Sequence, residues 1–253
     1  MYKTLGFIMI ILSISTACLA DNTPAPDTSR QSDAAVIKVN PASKARIQFE
    51  ADTWEFGSIP RGAVVVHAFK VRNVGTDTLI ITNVKPTCGC TTAPLSDSSI
   101  APGGEASILA NFNTKNFNGR VNKQIYVDSS DPIKPYLKIS FSAIINNPLQ
   151  TIAPAPAEAN FGNVVVGKPA QIKIIITNND ASKANLSIVE ESAPSLVKAK
   201  LVKTSLLPKG TTELVLDLQP QSKAGELSNS ITIEAGNIAS SRFTIPWKAV
   251  IVQ

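Results

Sequence analysis

The chain has 253 residues, 43% hydrophobic and 17% charged, with a formal net charge of +5. Its basic residues are scattered and form no Lys/Arg run, so the composition argues against nucleic acid as a partner and for a mildly basic, solvated surface. With three cysteines and a single histidine, it has neither a disulfide framework nor much choice of general base.

Residues 1–20 read as a targeting segment. Lys3 supplies a positive n-region, and Leu5 to Ile14 form an apolar stretch. That stretch falls short of the roughly 20 apolar residues that span a bilayer. Two cleavage readings stay open. Ser15-Thr16-Ala17-Cys18 resembles a lipoprotein box, which would make Cys18 the lipidated first residue of the mature chain. Cys18-Leu19-Ala20 also fits an ordinary small-x-small site, leaving Asp21 first. Either way the chain is expected to be exported. It would be a membrane-anchored lipoprotein in the periplasm or at the cell surface, or a soluble periplasmic or secreted protein. Contact with a membrane would run through the lipid on Cys18, each buried methylene contributing about 0.8 kcal/mol.

Residues 21–43 are rich in Pro, Ser, Thr, Asp and Ala and show no apolar period. Such a segment cannot bury enough surface to offset its ordering entropy, so it reads as a flexible linker.

A first repeat is expected over residues 44–146. Its apolar stretches are short, β-branched and bounded by turn residues. Strands are predicted around Arg46–Glu50, Val64–Asn73, Leu79–Val84, Glu105–Asn113, Lys123–Asp128 and Leu137–Ile145, with turns at Gly75-Thr76-Asp77 and Ala101-Pro102-Gly103-Gly104. In the second of these strands Val65, His67, Phe69 and Val71 share one face. The spacing and the lack of a 3.6-residue period predict an immunoglobulin-like β-sandwich.

The second repeat, residues 147–253, shows in the register. Phe56-Gly57 recurs as Phe161-Gly162, Gly62 as Gly167 and Asn73 as Asn178, each 105 positions on. Pro102-Gly103-Gly104 maps onto Pro208-Lys209-Gly210 with one insertion. The expected architecture is therefore all-β, two tandem immunoglobulin-like β-sandwich domains after a signal segment and a flexible linker. Glycines 57 and 62 are expected in tight turns, with Phe56 plugging the sandwich end beside them. The short Asn146-Asn147-Pro148 joint suggests limited freedom between the copies. Trp54 and Trp247 read as packing residues at the sandwich edge.

The run from Phe56-Gly57 through His67-Ala68-Phe69-Lys70-Val71-Arg72-Asn73, then Lys85-Pro86-Thr87-Cys88-Gly89-Cys90-Thr91-Thr92 and Ile100-Ala101-Pro102-Gly103-Gly104, resembles the bacterial domain-of-unknown-function 1573 family. The likeness covers about residues 46–145. It implies an Ig-like sandwich of the ASPM–SPD–Hydin kind and an exported location, and it implies no activity.

Cys88, Cys90 and His67 are the candidate site. The second repeat places Ala193, Ser195 and Ile172 at these three positions, so the sandwich itself does not require them. In extended chain residues i and i+2 face the same way, which presents both thiols together. His67 and the cysteines are expected toward the same end of the sandwich. Two thiolates and an imidazole would suit Cu(I), whereas zinc would want a fourth ligand. A C-x-C disulfide would be strained and readily reduced, which makes thiol redox exchange a further alternative. Packing is the plain alternative, because free Cys is a good small core residue and an inward His is often a core histidine.

No carboxylate, serine or glycine-rich arrangement points to catalysis, so the chain is expected not to be an enzyme. The leading expectation is a non-enzymatic envelope binding or assembly module whose protein partner is unknown. Soft-metal handling, with copper as cofactor on Cys88, Cys90 and His67, is the alternative.

Overall fold

The computed structural model describes residues 39–193, 195–220, 224–239 and 241–253. The targeting segment with Cys18, and the linker up to residue 38, lie outside the described residues. All the regular structure described is β-strand.

The first domain contributes β1 (Ile47–Phe49), β2 (Thr53–Ile59), β3 (Val64–Asn73), β4 (Leu79–Pro86), β5 (Thr91–Thr92), β6 (Ser99–Ile100), β7 (Glu105–Asn113), β8 (Gly119–Ser129) and β9 (Tyr136–Ile145). The second contributes β10 (Ile152–Ala155), β11 (Ala159–Val165), β12 (Ala170–Asn178), β13 (Ala184–Glu191), β14 (Val197–Leu201), β15 (Ser205–Leu206), β16 (Thr211–Leu218), β17 (Gly225–Ala235) and β18 (Phe243–Val252). Each domain has one four-stranded sheet of its own, ordered β1-β3-β7-β5 and β10-β12-β16-β14. The opposing layers of the two domains join into a single ten-stranded sheet ordered β15-β13-β17-β18-β2-β9-β8-β4-β6, with β11 beside β18.

Alternation explains most of these strands. In β7 and β16 every second residue is buried, and these residues meet the inward faces of the opposing sheet. Two separate cores result, one around Phe56, Phe69, Phe112 and Phe141, the other around Leu216, Ile233, Phe243 and Trp247. Trp247 is therefore a core residue of the second domain rather than an edge residue.

The repeated landmarks have structural causes. Asn73 is fully buried at the end of β3. Its amide donates to Asp77 O (2.8 Å) and Ile100 O (2.9 Å), and its Oδ1 accepts from Gly75 N–H (3.0 Å). Asn178 makes the equivalent bonds to Ser182 O, Leu206 O and Asp180 N–H. Each asparagine thus satisfies the backbone of the corner that follows its strand.

Gly57 and Gly162 depart from the expectation of tight turns. Both lie inside strands, at φ +69° and +64°. Strand pairing slips by one residue around each, between Glu55 and Ser58 and between Asn160 and Asn163. They are β-bulge glycines, which locally bend a strand without ending it. The sequence shows only a glycine followed by a polar residue, Ser58 or Asn163, and that pattern also describes a turn. Gly62 does sit in a turn, at φ +86°.

The joint between the domains is closely tied. Asn146 adopts φ 51°, its N–H donates to Ile59 O (3.0 Å), and its Oδ1 accepts from Arg61 N–H (3.0 Å). β18 then runs parallel to β2, with Phe243 opposite Ser58. Ser58 N–H donates to Arg242 O (2.9 Å) and Thr244 Oγ1 to Phe56 O (2.7 Å). On β3 the Val66 N–H donates to Ser230 Oγ (2.9 Å), while Val66 O accepts from Ser192 Oγ (2.7 Å) and Ser230 Oγ (3.1 Å). Backbone groups on the outer face of the first domain are thus satisfied by hydroxyls of the second.

Candidate functional site

β4 belongs to the ten-stranded sheet and β5 to the first domain's four-stranded sheet, so residues 87–90 carry the chain from one layer to the other. The crossing is pinned at both ends. Thr87 N–H donates to Gln124 O on β8 (3.0 Å), and Asn113 N–H on β7 donates to Cys90 O (2.9 Å). Cys88 and Cys90 are joined as a disulfide, their Cα atoms 5.2 Å apart. Cys90 leans on the core cluster. Cys88 is half-buried and Gly89 exposed. Beneath them sits buried Thr91, whose Oγ1 lies 3.7 Å from Cys88 Sγ and 3.8 Å from Cys90 Sγ. A disulfide sulfur has no proton to give, so the hydroxyl is the donor in either contact.

His67 stands elsewhere. On β3 it opposes Ala110 of β7, whereas the residue level with the cysteines is Val64, opposite Asn113. Three residues along and two strands across put His67 roughly 14 Å from the turn on ordinary sheet spacings. Its ring faces inward as expected, stacked on Trp54 at 4.0 Å and edge-on to Phe56 and Phe69. Its Nδ1 lies 2.9 Å from Glu190 Oε1 on β13 of the second domain. Glu190 Oε1 also accepts from Ala68 N–H (3.3 Å). On the Trp54 ring lies Arg242, its guanidinium carbon 5.1 Å from the ring centroid. Arg242 is in turn paired with Glu234 and donates from Nη1 to Glu55 O (3.2 Å). Trp54, His67, Lys70, Glu190, Glu191 and Ser192 line an open cleft of about 450 Å³ at this seam.

The structure therefore does not bring Cys88, Cys90 and His67 into one ligand set. Strand register separates them, the sulfurs are bonded to each other, and the imidazole is engaged by a carboxylate. Among the described residues no group of three or more His, Cys, Asp or Glu side chains is placed to hold a metal ion.

Sequence reasoning did not find Glu190, Ser192, Ser230 or Arg242. One signal was present. Val64-Val65-Val66 breaks the inward-outward alternation of β3, and Val66 is 3% exposed because the second domain covers that face. A second signal lies in β17, where Ser230-Ile231-Thr232-Ile233 are all buried and the hydroxyl side faces the seam. Glu190 and Arg242 had no local signal for the seam, because the first-domain groups they bind lie more than 120 residues away in the chain.

Residues 47–145 match the family model described as a protein of unknown function, DUF1573. Residues 152–249 match the model of a HYDIN/CFA65/VesB-like, Ig-like domain. No curated protein sequence matches the chain. Among solved structures, the chain is similar to a protein of unknown function from Porphyromonas gingivalis, with 15% identity over 81% of this chain and 99% of that one and a TM-score of 0.34. It is also similar to the tandem Ig repeats of Dlar, with 9% identity over 83% and 99% and a TM-score of 0.40. Likenesses this distant carry no functional meaning.

Proposed function

We propose that this pair of Ig-like domains is a non-enzymatic binding or assembly module of the bacterial cell envelope, exported and held at a membrane surface by a lipid on Cys18. The observation that supports the reading is the joining of the two domains through β2 and β18. A shared sheet with hydroxyl-satisfied backbone at the seam makes a stiff two-domain body that presents its loops and edges at fixed separation. Such a body suits recognition or spacing better than catalysis, since contacts of this kind are carried by loops on a rigid scaffold.

Cross-linking in envelope preparations tests the binding role. Photo-reactive residues placed at exposed Ile133, in the β8–β9 loop, and Tyr136, at the start of β9, should form one discrete adduct, lost on uncoupling the domains. A smear of adducts indifferent to the coupling would overturn the reading. The anchor has its own test: radiolabelled fatty acid should enter the wild-type protein and be absent from Cys18→Ser.

Soft-metal handling is the second reading, and the Cys88–Cys90 pair supports it in the reduced form, with two adjacent thiolates suited to Cu(I). His67, held against Glu190 and set apart from the pair by strand register, takes no part in this reading. Titrating the reduced protein with Cu(I) against a competing chelator decides the matter. Affinity unchanged in the Cys88→Ser/Cys90→Ser variant would end this reading.

A further inference from the structure

The Cys88–Cys90 disulfide closes a very small loop, with one residue between its ends. It therefore constrains the unfolded chain far less than a bridge across a long loop would. The second domain builds the same sandwich without a cysteine: Leu196 O accepts from Gln219 N–H where Cys90 O accepts from Asn113 N–H. A role as a structural staple thus leaves the bridge unexplained.

Gly89 sharpens the question. Among the described residues seven glycines sit at positive φ, and Gly89 is not one of them. Others, such as Gly57 and Gly75, are required because a Cβ would collide with nearby backbone. A Cβ on Gly89 would meet nothing within 4 Å. Neither the backbone nor the packing of this chain calls for glycine there. What its small size does provide is open space over a half-buried disulfide. On the inner side Thr91 places one hydroxyl within 3.8 Å of both sulfurs.

We propose that Cys88–Cys90 is an exchange-competent disulfide that accepts two electrons from a dithiol approaching over Gly89, with the Thr91 hydroxyl stabilising the leaving thiolate. An incoming thiolate attacks Cys88 Sγ, the sulfur less engaged with the core. A mixed disulfide forms, the Cys88–Cys90 bond breaks, and its electron pair leaves on Cys90 Sγ. The Thr91 O–H donates to that thiolate, which then takes a proton from solvent. The second thiolate of the dithiol attacks its own partner sulfur in the mixed disulfide and releases Cys88 as a thiolate, which is protonated in turn. The dithiol ends as a disulfide, and the protein holds two thiols, two electrons and two protons more. This activity stands independently of the binding role.

The experiment uses the full mature chain and dithiothreitol as the dithiol. The protein is first oxidised with the oxidised form of the reagent. Reduction in native buffer is followed by quenched alkylation and mass spectrometry, while circular dichroism confirms that the fold persists. Reduction should be complete with the sandwich intact. Thr91→Val should slow it about five- to ten-fold, the scale of one ordinary hydrogen bond lost, and Thr91→Ser should restore it to within about two-fold. Gly89→Val should slow it without lowering the thermal midpoint. Failure of the cysteines to form the disulfide, or its reduction only at the rate of global unfolding, would overturn the proposal. Equal rates in wild type and Thr91→Val would remove Thr91 from it.

Discussion

His67 Nδ1 lies 2.9 Å from Glu190 Oε1, and the pair joins β3 of the first domain to β13 of the second across 123 residues of chain. Both side chains are largely buried, at 10% and 14% exposure. The histidine is also stacked on Trp54, which carries Arg242 on its ring. What read as a possible metal ligand is part of the seam between two sandwiches.

Removing one partner of this pair should leave the other buried and unsatisfied. Glu190→Ala is expected to destabilise the protein by about 1–3 kcal/mol. His67→Ala should cost at least as much, because it also empties the space against Trp54. Urea midpoints of both variants and their double should show a coupling of about 0.5–3 kcal/mol. Strict additivity would mean that the contact contributes nothing to stability.

The two bulge glycines offer a controlled comparison. Gly57 and Gly162 share nearly the same φ, +69° and +64°. A Cβ on Gly57 would lie 1.9 Å from Arg242 O, the acceptor of the Ser58 N–H bond between domains. A Cβ on Gly162 would meet nothing within 4 Å. Gly162→Ala should therefore show only the positive-φ strain, about 1–2 kcal/mol. Gly57→Ala should be worse; the wild type is expected to melt in one transition and this variant in two, as calorimetry would reveal.

Asn73→Ala and Asn178→Ala should be similarly harmful, at about 2–4 kcal/mol each, because each strips several buried backbone groups of partners at once. Chemical denaturation with tryptophan fluorescence would measure both. A loss under about 1 kcal/mol would show that water replaces the amide at these corners.

Cys88→Ser/Cys90→Ser should remain folded and lose only about 1–2 kcal/mol, on the chain-entropy estimate for so short a loop. A thermal melt against wild type checks this. Loss of the fold would mean that the bridge is needed to hold the crossing between sheets.

Much of the fold was legible because a strand's inward-outward alternation is a local property. The pattern of Val64–Asn73 and Glu105–Asn113 gave both strands with their bounds unchanged. β2 was missed: its polar start and its bulge at Gly57 hide the alternation. The short β5 and β6 were missed too, since two residues carry no period. In the candidate site, the proximity of Cys88 and Cys90 followed from their spacing alone. The separation of His67 from them did not, because it depends on which strand pairs with which and at what offset.

The sequence by itself determined two repeats, their β character and the asymmetry that places the cysteines and the histidine in the first copy only. These follow from periodicity and from comparing one half of the chain with the other. Only the tertiary structure decided that the two sandwiches share a sheet, that Thr91 lies under both sulfurs, and that Glu190 claims the histidine. Those relationships join groups brought together by packing, and packing is set by the sum of many weak contacts that no local pattern records.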